Sequence, residues 1–392
     1  MKLQSNLWKL KILNALEEFL LVIPIITIFW LSKGLTMTEV FWLQSIFAVA
    51  VLFSEVPSGY FADTFGRKNS IIWGSILIFL GFLLYGFGET FWQFAAIEIL
   101  LGIGFSFISG ADSALLYDTL LELRREEEYQ KIESTYFSIS GYSISLAAIL
   151  GGFFASQHMQ ELFFVQAGVL FFLIPFSCFL EEPHVHQKQV HEKKVAISTV
   201  LKLALHEHKE IKWLIFYAGF LGSSTLASVW FAQPFWEHVG VPITLFGVLW
   251  AVLSALRGVF THFTSRFEKH IGKKNALISL IFFPFLGYLG LGIFQNFIWA
   301  IVFFLFFQFS FAISTPIIKT YINTLVASNI RATVLSVQSM IQRLIFAITG
   351  PFLGWSLDIL SFREAFLISG FFFFVAGALC LLFLQKQKVF MK

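Results

Sequence analysis

Long unbroken apolar runs, separated by short clusters of Gly, Pro, Asn and charged residues, organise the whole chain. Runs such as Phe303–Phe307 and Phe371–Phe374 do not alternate with polar positions. That excludes the two-residue period of a membrane-barrel strand and leaves helices, which need ~20 apolar residues to cross a bilayer. The pattern predicts helices over residues 11–32, 38–60, 70–88, 91–119, 133–156 and 161–180, and again over 212–236, 243–264, 275–294, 296–326, 332–356 and 362–384. Between the two sets lies the longest polar stretch, 181–210. It holds Pro183, His184, His186, His191, His206 and His208, with an amphipathic piece around 195–205. Such a histidine spacing reads as a solvated connector rather than a metal site.

Composition fixes the solvent. Of 392 residues, 57% are hydrophobic and only 13% charged, about half the charged share of a soluble domain. The fold class expected is therefore all-α integral membrane, with twelve spans and no room for a soluble catalytic domain. No Ser/His/Asp, metal or nucleotide-binding pattern is present, and the phosphate loop of an ATP-driven pump is missing. An enzyme is not expected, nor any cofactor or metal. A net charge of +3 gives no reason to expect nucleic acid as a partner. Cys178 and Cys380, both inside apolar runs, suggest neither a disulfide nor a zinc site. The first apolar stretch follows Lys2, Lys9 and Lys11 without a small-residue cleavage site, and reads as a retained helix. Lys and Arg are held on the cytoplasmic side. Alternating loops from a cytoplasmic N-terminus place 22 of the 27 basic residues inside and only Lys33 and Arg363 outside. Both termini and the polar stretch are then cytoplasmic.

A shift of 206 residues aligns Phe29-Trp30 with Phe235-Trp236, Gly34 with Gly240, Thr38 with Thr244 and Leu43 with Leu249. The same register aligns Phe61 with Phe267, Gly66 with Gly272, and Lys68-Asn69 with Lys274-Asn275. Duplication within a membrane bundle is a transporter trait. It divides the chain into a six-helix half at 1–180, a linker at 181–210 and a second six-helix half at 211–392. Seven tryptophans near predicted outer ends (Trp30, Trp42, Trp92, Trp236, Trp250, Trp299 and Trp355) fit an interfacial belt.

The sharpest local signal is Gly59-Tyr60-Phe61-Ala62-Asp63-Thr64-Phe65-Gly66-Arg67-Lys68, between the second and third spans. Gly59 and Gly66 permit tight turns and close helix approach. Asp63 can accept N–H groups or pair with a cation, and Arg67 presents a fixed fork of donors. Such a loop suits a latch made in one conformation and broken in another. These residues resemble the signature loop of the major facilitator superfamily, G-x-x-x-D-x-x-G-R-K, at every fixed position. Gly272-Lys273-Lys274 is a degenerate copy with Lys269 in place of the acid. The resemblance implies two pseudo-symmetric bundles with alternating access around a midplane cavity. It also implies that Asp118 is the partner of Arg67, so that Gly59, Asp63, Gly66, Arg67, Lys68 and Asp118 form the latch. Glu55–Gly59, Ser109–Asp118 and Arg331–Ser336 further resemble a bacterial efflux-type branch, and hence an inner-membrane protein. The fifth span carries Gly151-Gly152 without the proline of drug–proton antiporters.

Ionisable residues inside spans are costly and mark function by default. The first half holds Glu17, Glu18, Glu55, Glu98, Asp112 and Asp118; the second holds Arg257, Lys319 and Arg343. Asp112 is the preferred proton-coupling carboxylate, with Glu17 or Glu18 next. Those two diverge by ~100° on a helix, so one faces the cavity. Arg257, Lys319 and Arg343 are the candidate substrate-binding cations. The expected function is proton-coupled export of an amphiphilic small molecule, with or without an anionic group, by a monomer in the lipid bilayer. The alternatives are a proton-symport importer of a small nutrient and, from another class, a non-transporting sensor or lipid-handling protein.

Overall fold

A computed structural model describes residues 3–156, 158–183, 209–326 and 330–386. The stretch 184–208, with the five histidines and the amphipathic piece, lies outside the described residues. In chain order the α-helices are α1 (Asn6–Glu17), α2 (Ile26–Ser32), α3 (Met37–Phe65), α4 (Arg67–Tyr85), α5 (Phe91–Ile108) and α6 (Ala111–Glu122). Next come α7 (Tyr129–Ala155), α8 (Glu161–Phe171), α9 (Leu173–Cys178), α10 (Lys209–His238) and α11 (Ile243–His262). The last are α12 (Thr264–Ile271), α13 (Lys273–Ile293), α14 (Phe297–Leu325), α15 (Arg331–Ile359) and α16 (Phe362–Lys386).

Among the described residues, ten helical segments are long and apolar enough to cross a membrane, where the sequence predicts twelve spans. The eleventh expected span forms α15, which is long enough at 29 residues but carries Gln338, Gln342 and Arg343 among its apolar positions. The first is interrupted. Its backbone leaves the helix after Glu17 and resumes at Ile26, across a stretch containing Pro24. In lipid, such a break survives only where other groups satisfy the freed backbone. Gln166, fully buried, does this: its Oε1 accepts from the Leu21 N–H at 2.5 Å and its Nε2 donates to the Phe19 carbonyl at 3.1 Å. The expected fourth span is also broken, at Ser109–Gly110, where Gly110 takes φ +82° and α6 starts afresh.

Gly151 lets α7 lie against the interruption. A Cβ there would stand 1.8 Å from the Leu21 carbonyl oxygen, a backbone atom with no rotamer to yield. Overpacking of this kind costs ~1–3 kcal/mol or more. Gly151→Ala is therefore expected to lower the melting temperature and the monodisperse yield of purified protein. Gly168→Ala, with nothing within 4 Å of the added carbon, should leave both unchanged.

Two compact units emerge. One takes in Met1–Leu35, Ile46–Lys193 and Pro242–Ala251, and the other Thr36–Ser45, Lys194–Val241 and Val252–Lys392, as far as they are described. Each unit thus includes a short segment from the far half of the chain. In the first, small residues seat that segment: a Cβ on Gly247 would lie 1.8 Å from the Ala148 carbonyl oxygen. In the second, Asp358 caps the start of α3 by accepting from the Met37 and Thr38 N–H groups, each at 2.8 Å, and from the Thr38 hydroxyl. Phe41 packs between Phe231 and Phe346, tilted against both, with ring centroids 5.1 and 6.1 Å away.

Phe29-Trp30 and Phe235-Trp236 are wholly buried, each in the aromatic interior of its unit. Phe29 meets Phe94 and Phe163, while Trp30 meets Tyr85; Phe235 meets Phe362 and Phe366, while Trp236 meets Phe304. Trp30 and Trp236 are therefore core residues rather than members of an interfacial belt. Trp42, Trp92, Trp299 and Trp355 are exposed, as the belt requires.

Candidate functional site

Three groups of side chains carry the chemistry, each within one unit. The first surrounds the sequence motif. The motif is hardly a loop: α3 continues through Phe65, Gly66 alone turns the chain at φ +100°, and α4 begins at Arg67. Only a residue free to adopt that left-handed φ permits so sharp a reversal. Gly59 lies inside α3, and a Cβ there would meet nothing within 4 Å among the described residues, so no close approach explains it. The Arg67 guanidinium forms an ion pair with Asp118 and donates to the Ala114 carbonyl, both on α6. The side chain of Asp118 is 3% exposed and that of Arg67 14%, so the pair is withdrawn from water. Asp63 and Lys68 are half-buried beside it.

Glu182, immediately after the sixth expected span, completes this end. Its carboxylate accepts from the Arg67 N–H at 2.9 Å and the Lys68 N–H at 2.7 Å, and so caps α4 where the helix dipole favours negative charge. Its neighbour Glu181 is tied down by Asn6. The Asn6 amide donates to the Glu181 carbonyl (2.8 Å) and to the Thr119 hydroxyl (3.1 Å), and accepts from the Glu181 N–H (3.0 Å). In the sequence, Glu181-Glu182 reads as the start of a solvated linker, and Asn6 carries no signal.

The second group lies in the same unit. Leu10, Leu13, Asn14 and Glu17 share one face of α1 and, with Asp112 and Tyr136, line a cavity of about 10 Å³. That is close to the smallest space that holds a water. Glu17 and Asp112 thus share one enclosure, while Glu18, at the end of α1, is not among the lining residues. The Ser140 hydroxyl donates to Asn14 Oδ1 at 2.9 Å, fixing that amide within the wall. Asp112 stands in the first turn of α6, whose N-terminal N–H groups face it. Two carboxyl groups around a water-sized space can share and pass a proton. Glu98, buried elsewhere in the unit, accepts from the Tyr85 hydroxyl, and Glu55 is exposed.

The third group forms a polar cavity of about 350 Å³ in the second unit. Phe311, Ser314, Thr315, Ile318 and Lys319 line it from α14; Leu335, Gln338, Ser339 and Gln342 from α15; Ala218 and Gly222 from α10. The spacing i, i+3, i+4, i+7 on α14 and α15 makes a single face of each helix. Pro316 lacks the N–H that would bond the Ala312 carbonyl, loosening α14 beside Lys319. Lys319 is exposed to this space, and no carboxylate among the described residues of the unit lies within 4 Å of it. The other two candidate cations do not line the cavity. Arg257 donates to Gln308 Oε1 at 2.7 Å and sits 4.9 Å from the centroid of the Phe311 ring. Arg343 follows Gln342 on α15 and is half-buried. Gln338, Ser339 and Gln342, uncharged, are lining residues that a search for buried charge passes over.

At the other end of the first unit, Lys33 donates to Glu89 at 2.6 Å and to Gln160 at 3.1 Å. The ammonium holds the Glu89 carboxyl below the usual carboxylate range. Among the described residues, no cluster of His, Cys, Asp and Glu could hold a metal ion.

Comparison with known proteins places this architecture. The chain is 24% identical to multidrug resistance protein 2 of Bacillus subtilis (strain 168), over 98% of this chain and 96% of that protein. It is 27% identical to multidrug resistance protein MdtG of Salmonella arizonae, over 46% of each chain. Its fold matches the crystal structures of the nucleoside transporter NupG and of a D-xylose-proton symporter. For the first the TM-score is 0.79 at 14% identity, covering 96% of this chain and 98% of that one; for the second it is 0.71 at 16%, covering 98% and 96%. Residues 10–350 match the family model of the major facilitator superfamily, and the chain belongs to that family of integral membrane transporters.

Proposed function

We propose that the chain is a proton-coupled exporter of amphiphilic small molecules, working as a monomer by alternating access in a bacterial inner membrane. Its N- and C-termini face the cytoplasm in this reading, and two six-helix halves, 1–180 and 211–392, carry the motion. One observation carries the proposal: Glu17 and Asp112 meet in one water-sized enclosure of the first unit, while the second unit holds a separate polar cavity of about 350 Å³. Loading and substrate sites are then distinct groups, each within its own unit. The multidrug names of the relatives support export. Arg67 and Asp118, with Gly59, Asp63, Gly66 and Lys68, act as the latch, and Glu182 joins them by holding the start of α4.

Cells retaining a panel of fluorescent amphiphiles (one cationic, one neutral, one anionic) test this directly. An uncoupler is expected to raise retention of at least one member in expressing cells and not in controls. Asp112→Asn and Glu17→Gln should each abolish that difference. Lowered retention on uncoupling would instead make the protein an importer, and normal uncoupler-sensitive flux in both variants would sink the coupling assignment.

A further inference from the structure

We infer that the cavity of the second unit selects amphiphiles with an anionic head, and that Lys319 is the counter-charge that seats it. The inference rests on the transporter reading above and names the substrate class of that site. Among the described lining residues there is one formal charge, the Lys319 ammonium, and no acid. A second positive charge stands close by: Arg257, not itself a lining residue, lies over the Phe311 ring at 4.9 Å from its centroid, and Phe311 lines the cavity. With lipid rather than water around the unit, such a field is weakly screened, and an isolated cation in a span calls for an anionic partner.

The neutral polar groups include donors that an anion can use. The Thr315 and Ser339 hydroxyls donate to carbonyls of their own helices, Phe311 at 3.0 Å and Leu335 at 3.3 Å, so their hydrogens are already engaged. The free donors of the wall are then the Lys319 ammonium and the side-chain amides of Gln338 and Gln342, which suit a carboxylate, sulfonate or phosphate ester. Phe311, Ile318 and Leu335 supply an apolar wall for the rest of the molecule. The volume of about 350 Å³ suits a ligand of one or two rings. Gly222 gives the Gln342 side chain its place: a Cβ there would lie 2.4 Å from the Gln342 carboxamide carbon, and the Ser223 hydroxyl donates to the Gln342 main-chain carbonyl at 3.0 Å. A quaternary ammonium of equal size would meet repulsion with no carboxylate on the wall to offset it.

Three probes of one shape decide the matter: 2-naphthylacetate, 2-naphthylacetamide and 2-naphthylmethyl-trimethylammonium, bound to full-length protein in nanodiscs at neutral pH. The acetate is expected to bind most tightly and the ammonium least. Lys319→Gln should weaken acetate binding by about 10- to 100-fold, the range of a charge-assisted hydrogen bond, and leave the acetamide within about threefold. Lys319→Arg should keep the acetate within about threefold of wild type. Gly222→Ala, by displacing Gln342, should weaken acetate and acetamide together. The inference is overturned if the ammonium binds as well as the acetate, if none of the three binds, or if Lys319→Gln leaves acetate binding unchanged. Should Lys319→Gln fail to fold, the order of the three probes on wild type still decides. Binding is read without flux, so a missing uncoupler response would remove proton-coupled export alone, and a preference for the ammonium would remove this inference alone.

Discussion

Asp118→Ala is expected to produce the largest loss of stability among single substitutions of charged residues. The variant leaves the Arg67 guanidinium buried at 14% exposure, with the Ala114 carbonyl still in place but its counter-charge gone. Removing one partner of a buried ion pair costs about 3–5 kcal/mol, because the remaining charge keeps its desolvation penalty. Glu182 does not compensate. Its two oxygens are engaged by the Arg67 and Lys68 N–H groups rather than by the guanidinium. A fall in melting temperature and a loss of uncoupler-sensitive efflux of at least about tenfold are expected together.

The double variant Arg67→Met/Asp118→Ala separates the two causes. Apolar replacement of both partners of a buried pair is often neutral or stabilising, so the double variant should recover most of the melting temperature. If the pair is a latch that must form and break, transport should not recover with it. Recovery of both would reduce Arg67 and Asp118 to a structural pair, and an unchanged melting temperature in the single variant would contradict the burial argument.

The spans were open to sequence reading because a bilayer demands apolar length, and length survives in the sequence without tertiary information. The break after Glu17 was not, because its hydrogen bonds come from Gln166, a side chain about 145 positions away on another helix. The same distance problem hides Glu182, which reads as a linker acid until the fold brings it to the start of α4. Buried charge picks out Asp112 with Glu17 or Glu18 and leaves the two glutamates undecided; of the two, it is Glu17 that lines the cavity beside Asp112. On the other side, charge alone overstates Arg257 and Arg343. The spacing of Phe311, Ser314, Thr315 and Ile318, matched by Leu335, Gln338, Ser339 and Gln342, marks the cavity better than the arginines do. That pattern is present in the sequence, but which helices face each other is not. The tryptophans show the converse: position near a span end suggests an interface, yet Trp30 and Trp236 are turned into their aromatic cores.

An anionic cargo exported in exchange for one proton has an electrical signature, and this is the second large effect expected. A proton entering and a monoanion leaving both move with an inside-negative potential, so each cycle transfers two charges. At ~2.3 kcal/mol per charge per 100 mV, the potential contributes about 4.6 kcal/mol per 100 mV, or roughly three orders of magnitude in the attainable gradient. One-to-one symport of the same anion with a proton is electroneutral, and passive passage of the anion alone transfers a single charge. Proteoliposomes clamped by potassium and valinomycin, with equal pH on both sides, distinguish these cases using 2-naphthylacetate as cargo. The logarithm of the steady-state ratio against imposed potential should rise with the slope for two charges, and Asp112→Asn should bring it down to one or to zero. A wild-type slope of zero, with the cargo still equilibrating across the membrane, would make the protein a symporter of this anion. A slope of one would retain the anion site at Lys319 and remove the proton from the cycle.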